Sequence, residues 1–320
     1  MTEIELIDML CAGLPGNSAV VVGPGDDCAV LELGLPDRFI LFKTDAVVEG
    51  VHFTPDAPPE KVGHKAIGRC LSDVAAMAGT PIAALVTVGL PKQFEPERVR
   101  AIYTGMSALA RQHNVAIVGG ETTLSPDRIV ISVALVGWVH KNRCVQRSGA
   151  RPGDAIFVTG ELGGSLAGKH LEFEPRLAEA RWLTEHFDVH AMIDLSDGLA
   201  SDLRHVLKAS RVGAELLAEA IPISRAARER ARMAAAEPLP PVDIAGQKSP
   251  LLAALTDGED FELLFTVASA DAVRLFDSWK VQFPGLRLSC IGKITAAEGV
   301  TIRDKHGTRP LTAHGYVHFQ

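Results

Sequence analysis

The sequence is poor in aromatic residues, which make up only 5% of its 320 positions. So few rings argue against a stacking platform for single-stranded nucleic acid. It also lacks any lysine- or arginine-rich stripe, and its net charge is −7. That is the wrong field for a nucleic-acid backbone and a suitable one for collecting divalent cations. The cysteines, Cys11, Cys28, Cys70, Cys144 and Cys290, are odd in number and form no CxxC pair. Zinc and a disulfide framework are therefore poorly supported, and reduced thiols in a cytoplasmic protein are expected. No apolar run approaches the ~20 residues of a membrane span, and the opening MTEIELIDML is acidic and helical rather than a secretory leader. A GxxxxGK[ST] loop, HExxH and a GxSxG elbow around Ser196 are all missing.

What is present is a mixed alternation of helix and strand signals over a length that suits two domains. Helices are expected at 2–13, 60–78 (entered by Pro58-Pro59 and closed by Gly79 and Pro81), 96–113, 175–187 and 197–210. Strands are expected at 39–42, 83–90, 129–139, 155–159, 261–267, 286–291 and 300–302, with 115–118 as a buried strand. The Ala- and Arg-rich stretch 213–242 predicts a helix and then a loop at Pro238-Leu239-Pro240-Pro241. Composition shifts over Lys141–Asp154, which divides the chain into domains at 1–140 and 141–320. The class is α+β in both halves.

Against this background, carboxylates stand in loops directly after strand-like segments: Asp26-Asp27, Asp45, Asp73, Glu121, Asp194, Asp197 and Glu259-Asp260. Glycines flank several of them, as in Gly119-Gly120-Glu121 and Gly258-Glu259-Asp260, and permit sharp turns and close backbone approach. Asp73 and Asp197, read singly, are equally well helix caps. Together, so many acids beside apolar sequence repel one another and lose hydration. The simplest compensation is Mg²⁺, a hard cation that takes carboxylate, water and phosphate oxygens. That points to phosphoryl transfer or nucleotide binding. The cluster Gly160-Glu161-Leu162-Gly163-Gly164 is a loose phosphate-loop candidate and more simply a turn.

The motifs Gly25-Asp26-Asp27-Cys28-Ala29-Val30, Thr44-Asp45 with Glu49-Gly50-Val51-His52-Phe53, and Leu71-Ser72-Asp73-Val74-Ala75-Ala76-Met77 resemble thiamine-monophosphate kinases. So do Gly119-Gly120-Glu121-Thr122-Thr123, Arg147–Asp154, Asp194-Leu195-Ser196-Asp197-Gly198-Leu199, Gly258–Phe265 and the tail Gly315-Tyr316-Val317-His318-Phe319. The resemblance runs nearly end to end. It implies two α/β-mixed domains of the aminoimidazole ribonucleotide synthetase-like architecture. The N-terminal domain would bind ATP and magnesium, its sheet pairing into a dimeric barrel in a homodimer. The C-terminal domain would complete the active site.

The resemblance also implies roles. Asp27, Thr44, Asp45, Asp73, Glu121, Asp194 and Asp197 would hold several Mg²⁺ ions. Tyr103, Gly120, Glu121, Arg147 and Ser196 would contact ATP. His52, Glu259 and Tyr316 would face thiamine monophosphate. By residue type alone, Tyr103 and Tyr316 also suit packing, His52 a satisfied histidine and Arg147 a linker ion pair. The implied reaction is direct in-line transfer with no dedicated catalytic base, since a phosphate acceptor is largely ionised near neutral pH. Partners would be ATP and thiamine monophosphate, with neither nucleic acid nor membrane. A sister enzyme activating a carbonyl or amide oxygen, or a silent nucleotide-binding homologue, is the alternative. The sequence departs from the family pattern at Glu121 (usually Asp), Lys43 (usually a small hydroxyl residue) and Asp257 (often Gly).

Overall fold

The structure, a computed structural model, describes residues 3–236 and 248–316. The tail motif Val317-His318-Phe319 and the segment Pro238–Pro241 lie outside the described residues. In chain order the first elements are α1 (Glu3–Cys11), β1 (Val20–Val22), β2 (Ala29–Leu31), β3 (Arg38–Val48), α2 (Pro59–Ala76), β4 (Thr80–Leu90), α3 (Pro96–Gln112), β5 (Ala116–Leu124) and β6 (Val130–His140). Then come β7 (Ala155–Thr159), α4 (Leu177–His186), β8 (Val189–Asp194), α5 (Leu199–Ser210), β9 (Gly213–Leu217), α6 (Arg225–Ala236) and α7 (Pro250–Thr256). The chain continues through β10 (Leu263–Val267), α8 (Ala272–Gln282), β11 (Leu288–Thr295), β12 (Gly299–Asp304) and β13 (Gly307–Pro310). Within the described residues, one compact unit takes Gly16–Cys144 and Gly168–Trp182; the other takes Met1–Pro15, Val145–Ala167 and Leu183–Gln320. They are called the N-terminal and C-terminal units below.

The N-terminal unit is built on a six-stranded sheet of order β1-β2-β3-β6-β4-β5, antiparallel except for the β4–β5 pair. Strand alternation divides β3 cleanly. Leu41 and Val47 are buried against the helices, whereas Phe42 and Thr44 are exposed on the other face. α2 starts with proline at its first turn, where the missing N–H costs nothing. From Val62 onward it is buried on almost every side, so it forms the middle of the unit. It ends where Ala78 takes a φ of 56° and Gly79 lies against Leu41, which a Cβ would approach to 2.4 Å.

α2 and α3 cross at two glycines. A Cβ on Gly63 would lie 1.8 Å from the Ile102 carbonyl oxygen, and one on Gly105 would lie 1.8 Å from that of Glu60. The two backbones therefore touch, and this contact fixes where α2 presents Asp73 and where α3 presents Tyr103.

The C-terminal unit holds a seven-stranded sheet of order β13-β12-β9-β11-β7-β10-β8, with β9 and β12 parallel. Ile156, Val158, Ile193 and Leu264 of the sheet and Leu203 and Val206 of α5 belong to one buried core. Phe157 and Phe265, on the opposite side of their strands, stack with centroids 5.6 Å apart. Among the described residues, no helix is long and apolar enough to cross a membrane.

Two expectations change here. The strand expected to be buried at 115–118 is β5, the outermost strand of its sheet, with Val118 63% exposed. An apolar run alone cannot tell an edge from a centre. The head of the expected helix at 213–242 is instead the strand β9, held between β12 and β11. Pairing on both sides overrides the local preference of its Ala, Glu and Leu residues for helix. Strand β8 and helices α7 and α8 went unread.

Gly63→Leu should destabilise the protein by about 1–3 kcal/mol or more, because helix backbone rather than a movable side chain meets the new atoms. Chemical denaturation of the variant against the parent protein measures it; an unchanged midpoint would contradict the close crossing.

Candidate active site

In the N-terminal unit the acids meet on the helix-covered face of the sheet. Residues 43 and 45 alternate to the same side of β3, and residues 69 and 73, four apart, share a face of α2. The result is a pair of strand-to-helix ion pairs of opposite polarity. Lys43 Nζ lies 2.9 Å from Asp73 Oδ1, and Arg69 Nε lies 3.3 Å from Asp45 Oδ2. The Asp27 and Asp73 carboxylates have oxygens within 4.8 Å of each other, and both residues are buried. Burial would lower the Lys43 pKa, but Asp73 and Asp45 outweigh it and hold the ammonium charged. The neighbouring thiols of Cys28 and Cys70 are raised by burial first and by Asp73 and Asp45 respectively next, so they stay protonated.

The remaining candidates of this unit stand elsewhere. Sheet register aligns Asp45 with Val133, Val86 and Gly120, and Ala46 with Ser132, Thr87 and Glu121. Glu121 therefore belongs to the open face, the same face as Thr44, and is exposed three strands away, roughly 14 Å at the usual strand spacing. Within this unit it does not join Asp27, Asp45 and Asp73. Gly120 takes a φ of 155°, and a Cβ there would lie 1.7 Å from the Val86 carbonyl oxygen, so no side chain fits. Tyr103 is partly buried on α3, which raises its phenol. His52 closes the turn after β3: its Nδ1 accepts from Val48 N at 3.1 Å, and its carbonyl accepts from the buried Lys65 Nζ at 2.6 Å.

In the C-terminal unit two distant motifs converge on the loop between β8 and α5. Glu259 N donates to Ser196 O at 2.7 Å, Phe261 N to Leu195 O at 2.8 Å and Tyr316 N to Asp197 O at 2.9 Å. Asp194 is buried at the end of β8, and Ser196 and Asp197 are half-buried beyond it. Gly315 has no room for a side chain, since a Cβ would stand 1.9 Å from Asp197 O. Glu259 and Phe261 hold positive φ angles of 54° and 50°, which non-glycine residues rarely adopt. Tyr316 is half-exposed. Thus Asp194, Ser196, Asp197, Glu259 and Tyr316 are brought together by backbone bonds between their segments.

Asp202 supports this loop and escaped the sequence reading. Its Oδ2 accepts from Asp197 N at 3.1 Å and from Gly198 N at 3.0 Å. Burial raises its pKa, Asp197 and Asp194 raise it further, and the Asp197 amide and Arg147 pull the other way. Arg147 is thereby placed within electrostatic reach of the loop. Oxygens of Asp197 and Asp202 and a His205 nitrogen lie within 4.8 Å of one another. Because Asp202 already accepts two amides, it props the loop rather than ligating. The signal for it was an acid in the first turn of a helix.

Asp257, Asp260 and Glu262 have similar internal duties. Asp260 accepts from Gly163 N at 3.0 Å and from Ser165 Oγ, while Asp257 accepts from Gly164 N at 2.9 Å. The glycine cluster is thus a turn in which the amides of Gly163 and Gly164 are occupied by the chain's own carboxylates. Asp257 also meets Arg230 at 2.7 Å and Lys248 at 3.1 Å, which explains a charge where glycine was expected. Glu262 accepts from Thr159 Oγ1 at 2.8 Å. For magnesium, the fitting donors are the oxygens of Asp27, Asp45 and Asp73 in one unit and of Asp194 and Asp197 in the other.

Comparison with known proteins identifies the family of both halves of the chain. The family model described as "AIR synthase related protein, N-terminal domain" matches residues 25–139, and its C-terminal counterpart matches residues 151–305. The fold and its acidic loops therefore define an AIR synthase-related protein. A thiamine-monophosphate kinase of Rhodopirellula baltica is 38% identical over 88% of this chain and 85% of its own. That of Bacillus subtilis is 30% identical over 100% of both. A solved structure described as "AaThiL complexed with AMPPCP and TMP" superposes with a TM-score of 0.81 at 31% identity, covering 99% of this chain and 97% of that one. The chain belongs to the thiamine-monophosphate kinase family.

Asp202→Ala should destabilise the protein by about 1–3 kcal/mol, because the buried Gly198 amide loses its acceptor. Asp202→Asn, which keeps an acceptor oxygen, should lose less. Urea titrations of the two variants test the ranking.

Proposed function

We propose that this protein transfers the terminal phosphoryl group of ATP to thiamine monophosphate, giving thiamine diphosphate and ADP. The observation that carries this reading is the convergence of Glu259 and Tyr316 on the Asp194–Gly198 loop, in a chain whose fold matches a kinase complex with AMPPCP and TMP over 99% of its length. The γ-phosphorus–oxygen bond of ATP breaks as a phosphate oxygen of the acceptor forms the new bond. That oxygen is largely ionised near neutral pH, with a second pKa of about 6, so no side chain is assigned as base.

Bound magnesium supplies positive charge that offsets the repulsion between two anionic substrates. Asp27, Asp45, Asp73, Asp194 and Asp197 are its proposed ligands, whereas Thr44 and Glu121 stand on the open face of the sheet. Tyr103, Gly120, Glu121, Arg147 and Ser196 take ATP. Glu259 meets the cationic thiazolium, Tyr316 stacks on it, and His52 contacts the same substrate. The chain's work is positioning and fixed electrostatics. The free thiols recorded at every cysteine suit a reducing compartment such as the cytoplasm.

The N-terminal sheet exposes Phe42 on β3, Ile82 and Leu85 on β4 and Val118 on β5. A second copy of the chain is the proposed occupant, its sheet closing with this one into a barrel that covers the apolar surface. Light scattering should give a dimer, and Phe42→Glu with Leu85→Glu should shift it to monomer. A monomeric parent protein would remove the proposal.

The decisive assay combines purified protein, ATP, magnesium and thiamine monophosphate, with the diphosphate product read by chromatography. Asp45→Asn and Asp73→Asn should each lower turnover by about 100-fold or more, with circular dichroism unchanged. Full activity in either variant would count against this site, and turnover only with an aminoimidazole precursor would favour a sister activity.

A further inference from the structure

In the N-terminal unit, Asp27, Asp45 and Asp73 contribute three negative charges, and Lys43 and Arg69 contribute two positive ones on the same side of the sheet. Most of the compensation that the acids require is therefore already covalently attached. The two cations differ in kind. Arg69 belongs to the same face of α2 as Asp73 and reaches across to Asp45 with a planar guanidinium. Lys43 is a compact ammonium, 2.9 Å from Asp73 Oδ1, on a side chain that is only 22% exposed. An ammonium is a point charge with three donors, the nearest side-chain equivalent to a small hydrated cation.

We propose that the Lys43 ammonium is a resident cation of this site and takes the place of one divalent ion that an uncharged residue at position 43 would admit. The inference rests on the reading that Asp27, Asp45 and Asp73 hold magnesium. A divalent ion on Asp73 Oδ1 would stand directly against the ammonium, and in this buried setting the repulsion is poorly screened. The two cannot share that oxygen. Lys43 projects from the middle of β3, paired along its length with β6, so its backbone is not free to withdraw. The site thus has one cation position that is filled at every metal concentration, and the remaining carboxylates take correspondingly fewer ions.

The test counts ions on the intact chain without nucleotide. Electron paramagnetic resonance of free Mn²⁺ gives the number bound to the parent protein, to Lys43→Ser, to Lys43→Met and to Lys43→Arg. The expected result is one more Mn²⁺ per chain in the Ser and Met variants, with the Arg variant equal to the parent. Thermal unfolding gives a second readout: saturating Mg²⁺ should raise the melting midpoint of Lys43→Ser by about 5 °C more than that of the parent. If Lys43→Ser folds only when Mg²⁺ is present, that dependence also supports the proposal. Equal Mn²⁺ counts in the parent, Ser and Met variants would overturn it while leaving the metal site in place. No Mn²⁺ bound to any of the four proteins would sink the metal reading itself, which separates the two failures.

Discussion

The acidic cluster of the N-terminal unit depends on a strand and a helix that exchange charges. β3 offers a cation and an acid two residues apart, and α2 offers a cation and an acid four residues apart. Those spacings are the periods of the two elements, so all four groups meet at one interface. Each acid faces the other element's cation. Removing either cation would leave a carboxylate between the two elements without its ion-pair partner, so the pairs hold strand and helix together. The glycine crossing of α2 and α3 then fixes the register at which this exchange takes place.

The C-terminal unit solves a different problem with different means. There the chemistry-bearing residues are far apart in sequence and lie on loops, so charge pairing alone cannot locate them. Backbone hydrogen bonds do it instead, from the segments of Glu259, Phe261 and Tyr316 onto residues 195–197. Such bonds are indifferent to side-chain identity. They join the segments without drawing on the carboxylates, hydroxyl or phenol. The carboxylate of Asp202 and the absence of a side chain at Gly315 are the supports beneath them.

Much of this was legible in the sequence because each motif is local. The acids of the two units, the helix at 60–78 and the strand 155–159 follow from spacing, proline and glycine placement, and the family resemblance. What was not legible is relational. That Val118 is on an edge depends on which strands lie beside β5. That 213–217 is a strand depends on β11 and β12, some 70 to 90 residues downstream. The sequence reading assigns compensation of the acids to metal alone; the part played by Lys43 and Arg69 appears only when β3 is laid against α2. Glu121 was grouped with Asp45 by charge, but strand register assigns the two to opposite faces.

The glycine-rich turn at 160–164 has a meaning beyond its own stability. Successive amides in such a turn form a concave nest suited to an anion. Here the amides of Gly163 and Gly164 are taken by two separate carboxylates of the chain itself, Asp260 and Asp257. Those two acids therefore answer for the shape of the turn rather than for a ligand, and losing either would leave a backbone donor without its acceptor.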